Sequence, residues 1–310
     1  MILLTGCTGY IGSQLAYAFK KSKLDFIGID NLKYSYKKNF PTKNNFFKID
    51  IASKQTENLI KKKDVKTVIH CAALAYVLDA ENNKKKYILN NEVKTKKFID
   101  ICKKIGVSNF IFLSSSNVYK DTKKTFSENA PKKPKNIYGK NKFLIEKYLN
   151  KKKFPSYVCL RLFNIIGMEN KFYIFKPKRK YQRFFFRLID KKFRPIIKYY
   201  IKNNRVEFPK RDFLDIKDLN LLILKIVNKL KKKQIKNTFN VGSGKEQSIF
   251  NIYNKFSKKI KIKKPIYKIL PKKELKKTKA NTFKVRKYFH WKPKTNLNKS
   301  IQSTIQFAKI

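Results

Sequence analysis

Histidine is nearly missing from this chain. His70 and His290 are the only two in 310 residues, so a histidine-based metal site is not expected and no metal is assigned. Cysteine is scarce too: Cys7, Cys71, Cys102 and Cys159 lie far apart in apolar contexts, with no Cys-x-x-Cys pair. That pattern argues against a disulfide framework and reads as reduced core residues of a cytoplasmic protein. No apolar run is long enough to span a bilayer, and an apolar strand pattern begins almost at Met1, so no signal peptide is expected. Acidic residues are few, 20 Asp and Glu against 76 Lys and Arg, leaving a formal charge of +56. Such a charge can serve nucleic acid or an anionic membrane. Here, however, the lysine runs at 61–63, 84–86, 151–153 and 231–233 are spread along the chain, mostly near helix ends, and form no single stripe with interleaved aromatics. They read as solvated faces. No nucleic-acid or membrane partner is expected, though the field would draw in an anionic substrate.

Glycine is also sparse, nine in all, yet three stand together at Gly6, Gly9 and Gly12. They follow the apolar run Ile2-Leu3-Leu4-Thr5 and precede a helical pattern from Ser13 to Phe19. Glycine lets the backbone turn tightly and lets a phosphate reach main-chain N–H groups with no Cβ in the way. The helix start adds its positive dipole end, so strand, turn and helix make a pyrophosphate cradle. The next apolar run, Phe26-Ile27-Gly28-Ile29, ends in Asp30, where a carboxylate would bind a ribose hydroxyl and disfavour a 2′-phosphate. A third strand, Phe46 to Ile49, closes on Asp50-Ile51.

Further strands are expected at 64–73, 109–113 and 157–162, alternating with helices around 87–105 and 138–149. Near-continuous apolar strands separated by helices indicate an α/β chain: a Rossmann-type doubly wound parallel sheet covered on both faces. Residues 168–210 are rich in Lys, Arg and aromatics, lack glycine and follow no clean period. Order resumes at Arg211-Asp212-Phe213, then a helix to Leu230 and a strand at 238–241. The expected organisation is a dinucleotide-binding domain of 1–167 plus 211–245 and a smaller, largely C-terminal substrate lobe of 168–210 plus 246–310.

Tyr138 and Lys142 stand at i and i+4 and share one helix face. A neighbouring ammonium favours the phenolate, so Lys142 is expected to lower the Tyr138 pKa and make it a general base for a sugar or alcohol hydroxyl. Ser115 follows the strand at 109–113, at the end where open α/β sheets bind ligands, and can bond the same oxygen. His70 is expected to be a core residue at a strand end, without a catalytic role.

In family order, the chain carries Gly6-Cys7-Thr8-Gly9-Tyr10-Ile11-Gly12, Asp30-Asn31, Asp50-Ile51, Ala72-Ala73, Asn91, Ser114-Ser115-Ser116-Asn117, Tyr138 with Lys142, Arg161-Leu162-Phe163-Asn164, Arg211-Asp212-Phe213 and Asn240-Val241-Gly242. With these it resembles the extended short-chain dehydrogenase/reductase family. Within that family it is most similar to the NAD-dependent nucleotide-sugar epimerases and dehydratases, the UDP-glucose 4-epimerase group in particular. The resemblance implies NAD as cofactor, with Tyr10, Ile11, Asn31, Asp50, Ile51, Ala72, Ala73, Asn91 and Phe163 joining the glycines and Asp30 around it. It implies that Tyr138 is the base, that Lys142 binds the nicotinamide ribose and that Ser115 orients the substrate. Asn117, Asn164 and Arg211 would contact a nucleotide sugar, a UDP-sugar first, and a homodimer built on the helices after the fourth and fifth strands is implied too. Lys272-Lys273 stand where the family often places a pyrophosphate-binding Arg. The Thr-Asp-Glu set of related dehydratases has no counterpart at Ser115-Ser116-Asn117. A reductase or dehydratase of the same family remains the alternative, as does an NAD- or RNA-binding protein without turnover.

Overall fold

The computed structural model describes residues 1–42, 44–121, 125–169 and 183–307. The part of the expected substrate lobe at 170–182 lies outside them. Seven strands form one wholly parallel sheet: β1 (Ile2–Thr5), β2 (Phe26–Ile29), β3 (Phe46–Phe47), β4 (Thr67–His70), β5 (Asn109–Ser115), β6 (Ser156–Leu162) and β11 (Lys236–Val241), in the order β11-β6-β5-β4-β1-β2-β3. The chain winds outward from β1 to β3, returns to β4 beside β1, and winds the other way. The β1/β4 boundary is therefore a topological switch point, where the loops at the carboxyl ends part to leave a crevice.

Helices cover both faces: α1 (Tyr10–Lys21), α2 (Lys54–Lys62), α3 (Val77–Asn82), α4 (Lys84–Ile88), α5 (Lys94–Ile105), α6 (Ile137–Lys151), α7 (Phe184–Ile189), α8 (Ile216–Leu230), α9 (Ile249–Ser257), α10 (Phe283–Phe289) and α11 (Leu297–Phe307). Local chemistry sets several ends. Ser53, Asn136, Asp215 and Ser248 cap α2, α6, α8 and α9 by accepting main-chain N–H bonds, and Gly106 ends α5 at φ +85°. The expected single helix around 87–105 is α4 and α5 joined through a π-helical turn, Leu89–Val93. Residue periodicity does not register such a turn, and Asn91 sits within it.

Two smaller sheets complete the chain. β7 (Asn164–Ile166) pairs with β10 (Lys210–Asp215), which pairs with β12 (Glu246–Ser248). β8 (Ile196–Lys202) lies between β9 (Arg205–Glu207) and β13 (Ile266–Ile269). Of the segment 246–310 expected in the smaller lobe, α10 packs on β11 and α8, and α11 reaches β7 and β10. The Ser303 and Thr304 hydroxyls there accept the Met168 and Gly167 N–H groups. The apolar face of α10 thus packs against the large sheet's layers, and that of α11 against the β12-β10-β7 sheet with α7 and α9.

Candidate active site

Two adjoining cavities, about 260 and 330 Å³, open over the carboxyl ends of the large sheet. The first is floored by the turn after β1. Gly6 adopts φ +62°, which disfavours any side chain, and a Cβ on it would lie 2.6 Å from Ala72 Cα. The glycine therefore lets the ends of β1 and β4 close on each other. Asp30, at the end of β2, accepts the Thr8 N–H at 3.3 Å and the Leu32 N–H at 2.9 Å. Asp50 sits 2.6 Å from Lys94 Nζ and accepts from the Ala52 N–H and Asn31 Nδ2. Burial would raise its pKa, but Lys94 and the Ala52 N–H outweigh this and hold it below the usual carboxylate range.

Helix α6 enters from the other side. Asn136 caps it through the Gly139 N–H at 2.8 Å, and a Cβ on Gly139 would lie 2.9 Å from the Asn117 carbonyl carbon. This close approach seats Tyr138 against the end of β5. Ser115 Oγ accepts from the Asn117 N–H at 3.2 Å and from Asn117 Nδ2 at 3.1 Å. One turn further along α6, Lys142 is 4% exposed and donates to the Leu113 carbonyl at 2.7 Å. Glu146 follows, bonded to Ser114 Oγ at 2.5 Å and ion-paired with Arg161 at 2.7 Å. The buried pair ties α6 to β5 and β6 immediately behind Ser115.

The electrostatics correct one expectation. Burial pushes the Tyr138 hydroxyl above the usual tyrosine range; the Arg183 charge and the Ser115 hydroxyl oppose this without prevailing. Lys142 does not lower it. Its Nζ stands 5.9 Å from the Tyr138 ring centre, turned to Leu113, and burial brings its own pKa down to about 8. Desolvation, invisible to an i, i+4 spacing, dominates both groups. His70 is where it was expected, buried between Thr5 Oγ1 at 2.9 Å and Thr95 Oγ1 at 3.3 Å, and burial lowers its pKa to about 3. It stays neutral in the core.

The first cavity brings together Gly6, Gly9, Tyr10, Ile11, Gly12, Asp30, Asn31, Asp50, Ile51, Ala72, Ala73, Ser115, Asn117, Tyr138, Lys142, Phe163 and Asn164. Two expected site residues are not on its wall. Asn91 is buried behind it, where its side chain bonds both the N–H and the carbonyl of Leu74 at 2.8 Å and so holds the loop after β4. Arg211 lines the second cavity, which shares Asn117, Asn164 and Arg183 with the first. Lys273 turns away to an ion pair with Glu81, and neither it nor Lys272 lines either of these two cavities. Tyr34, Tyr76, Arg183 and Phe186 on the first wall, and the Lys198–Glu274 ion pair on the second, were not anticipated. Arg183, Phe186 and Lys198 come from the aperiodic stretch 168–210, which offered no signal. Among the described residues no cluster of His, Cys, Asp or Glu is arranged to hold a metal ion.

Known proteins share this architecture. The chain is 28% identical over 330 aligned positions to a Methanocaldococcus jannaschii protein provisionally named a UDP-glucose 4-epimerase, covering 100% of this chain and 98% of the relative. It superposes on UDP-glucose 4-epimerase from Bifidobacterium longum, solved with NAD+ and UDP, at a TM-score of 0.88 and 21% identity, covering 99% of this chain and 97% of that one. The Brucella ovis enzyme, solved with NAD, gives a TM-score of 0.88 at 22% identity, covering 99% and 96%. Residues 2–242, from the first strand to the turn after the last strand of the large sheet, match the NAD dependent epimerase/dehydratase family, and the chain belongs to that family.

Proposed function

We propose that this protein is a nucleotide-sugar 4-epimerase acting on a UDP-sugar, with NAD as its resident cofactor and Tyr138 as its acid/base group. The observation that carries the reading is the junction of the cavities. Tyr138 and Ser115 line the glycine-floored cavity at the point where Asn117 and Asn164 open into the one lined by Arg211. The first cavity fits NAD. Cβ atoms on Gly6 or Gly12 would collide with main chain, so the turn stays bare beside the start of α1. Each oxygen of Asp30 accepts one main-chain N–H and keeps a lone pair for a ribose hydroxyl, while its charge repels a 2′-phosphate. Asn31, Asp50, Ile51, Ala72, Ala73 and Phe163 line the remainder, and Asn91 supports it from behind.

NAD, when bound, supplies a reversible two-electron acceptor for the sugar carbon. The chain's own groups handle the proton and the ligand's charge. Tyr138 takes the C4 hydroxyl proton and returns it to the same oxygen, so the same group serves both halves of the cycle. Ser115 bonds that oxygen and keeps it on the Tyr138 side. Lys142, fixed by Leu113, is placed for a ribose hydroxyl, and Arg211 presents a guanidinium suited to the diphosphate. We assign cofactor binding to the doubly wound part and substrate binding to 168–210 with the β12–β13 region. Free cysteines agree with a cytoplasmic setting, and no described helix is long and apolar enough to cross a membrane. Exposed Leu89, Val93 and Leu144 give the face of α3 to α6 an apolar surface fit for a homodimer.

The test is purified protein, without added cofactor, against UDP-, dTDP-, GDP- and CDP-sugars, read by chromatography that separates 4-epimers. Interconversion of one pair with no net NADH change is expected, and Tyr138→Phe should keep nucleotide binding while losing at least about 100-fold in kcat. Conversion that consumes added NAD(P)H would place the protein among reductases instead.

A further inference from the structure

Arg183 occupies a position that the proposed chemistry leaves unused. Among the described residues, four cationic side chains line the second cavity (Arg183, Arg187, Lys198 and Arg211), and of these Arg183 alone also lines the first, beside Tyr138 and Ser115. Its guanidinium lies over the Tyr10 ring, 4.9 Å from the centroid. Tyr10 is itself held, its hydroxyl donating to the Gly167 carbonyl at 2.6 Å and its ring packed on Phe185 and Phe186. A cation–π contact of this kind holds the guanidinium in place while its N–H groups remain available to a bidentate acceptor.

No carboxylate takes that place. Among the described residues Arg183 has no ion-pair partner. Glu274, the acidic residue on the second cavity, is paired with Lys198, and on the first cavity Asp50 is paired with Lys94 while Asp30 stands at the glycine turn. A diphosphate brings two negative charges, and Arg211 meets it with a guanidinium away from Tyr138. A neutral sugar at the Tyr138 end would bury Arg183 unpaired, beside a cofactor ring that is itself cationic when oxidised. A guanidinium left this way loses its water without compensation.

We propose that Arg183 is a specificity-determining residue that pairs with a carboxylate on the sugar, so that the substrate class is a nucleoside-diphosphate acid sugar, such as a hexuronate, rather than a neutral hexose. This rests on the epimerase reading. An acid group on the carbon next to the epimerised one would face Arg183 while the C4 hydroxyl faces Tyr138 and Ser115.

The experiment compares UDP-glucuronate with UDP-glucose on the wild type, Arg183→Gln and Arg183→Lys, measuring kcat and KM. Calorimetric affinity for each sugar nucleotide, for UDP alone and for NAD is measured alongside. The wild type is expected to favour the acid by about 100-fold in kcat/KM, the usual effect of one buried charge pair. Arg183→Gln should abolish the preference mainly through KM, and leave UDP and NAD affinities within about threefold, the scatter of a neutral substitution. Arg183→Lys should restore part of it through a single hydrogen bond. Equal handling of the two sugars by the wild type overturns the proposal. So does an Arg183→Gln variant that weakens UDP or NAD as much as the acid, which would assign the residue to the diphosphate or the cofactor. If neither sugar turns over but the acid still binds more tightly in an Arg183-dependent way, the epimerase reading fails and the assignment of Arg183 stands.

Discussion

Replacing Gly12 with alanine probes the cofactor site at its most constrained point. A Cβ there would lie 2.9 Å from Cys7 Cα and closer still to the Gly6 carbonyl oxygen, both main-chain atoms that cannot swing aside. Carbon–carbon contacts settle at about 3.5–4.0 Å, so the start of α1 and the Gly6 turn must part by about 1 Å. Overpacking of this kind costs about 1–3 kcal/mol. The better helix propensity of alanine returns about 1 kcal/mol, so the net loss of stability is small. The N–H groups suffer more. A 1 Å displacement takes an N–H···O distance from about 2.9 Å to nearly 4 Å, beyond hydrogen bonding. Two charge-assisted bonds at about 1.5–3 kcal/mol each then predict NAD binding weaker by at least about 100-fold. Gly9→Ala is the internal control for the packing strain. Its Cβ would meet the Gly6 oxygen at 3.3 Å, a shift of a few tenths of an ångström, so its effect on thermal unfolding should be distinctly smaller. The assay is calorimetric titration of NAD into each variant, with thermal unfolding measured in parallel. If Gly12→Ala binds NAD like the wild type, the pyrophosphate does not lie on this turn.

Arg161→Met should destabilise the fold by about 3–5 kcal/mol, because it strands Glu146 in a site where both partners are under 10% exposed. A loss under about 1 kcal/mol in chemical denaturation would show that the pair does not anchor α6. Asp215, buried against Gly167, has its carboxyl raised to about 6 from an ordinary 3.8. The native state therefore binds this proton more tightly than the unfolded chain does. Stability contributed here is present at low pH and is lost as pH rises from about 4 to about 6, by up to about 3 kcal/mol. Asp215→Asn should flatten that part of the curve of melting temperature against pH while still capping α8; an unchanged slope would contradict it. Leu89→Asp should turn a dimer into a monomer in sedimentation velocity without altering the fold, and an unchanged sedimentation coefficient would move the interface elsewhere.

Much of this protein is legible from local chemistry. The glycine turn, Asp30, the alternating strands and helices and the Tyr138–Lys142 spacing express short-range rules, and the doubly wound sheet follows from them. β11 completes the large sheet at the edge beside β6, within residues 211–245 as the chain pattern indicates. The less legible parts share a cause. Residues 184–207 fold as α7, β8 and β9, but neither helical nor strand periodicity marks them, because they are stabilised by partners such as β13 and α11 that lie far along the chain. The π-helical turn that positions Asn91 is likewise decided by its contact with Leu74.

The sequence by itself thus determined the family, the sheet and the glycine turn, and named Ser115, Tyr138 and Lys142 as the candidates that the structure brings to one cavity. Only the tertiary structure decided how those groups ionise and which cation stands beside Tyr138. A spacing of four residues shows that Lys142 can be near Tyr138; it does not show that both are removed from water, or that Lys142 is committed to Leu113. Those are properties of burial, and burial is created by segments that meet across the fold, as Arg183 meets Tyr10 from more than half the chain away.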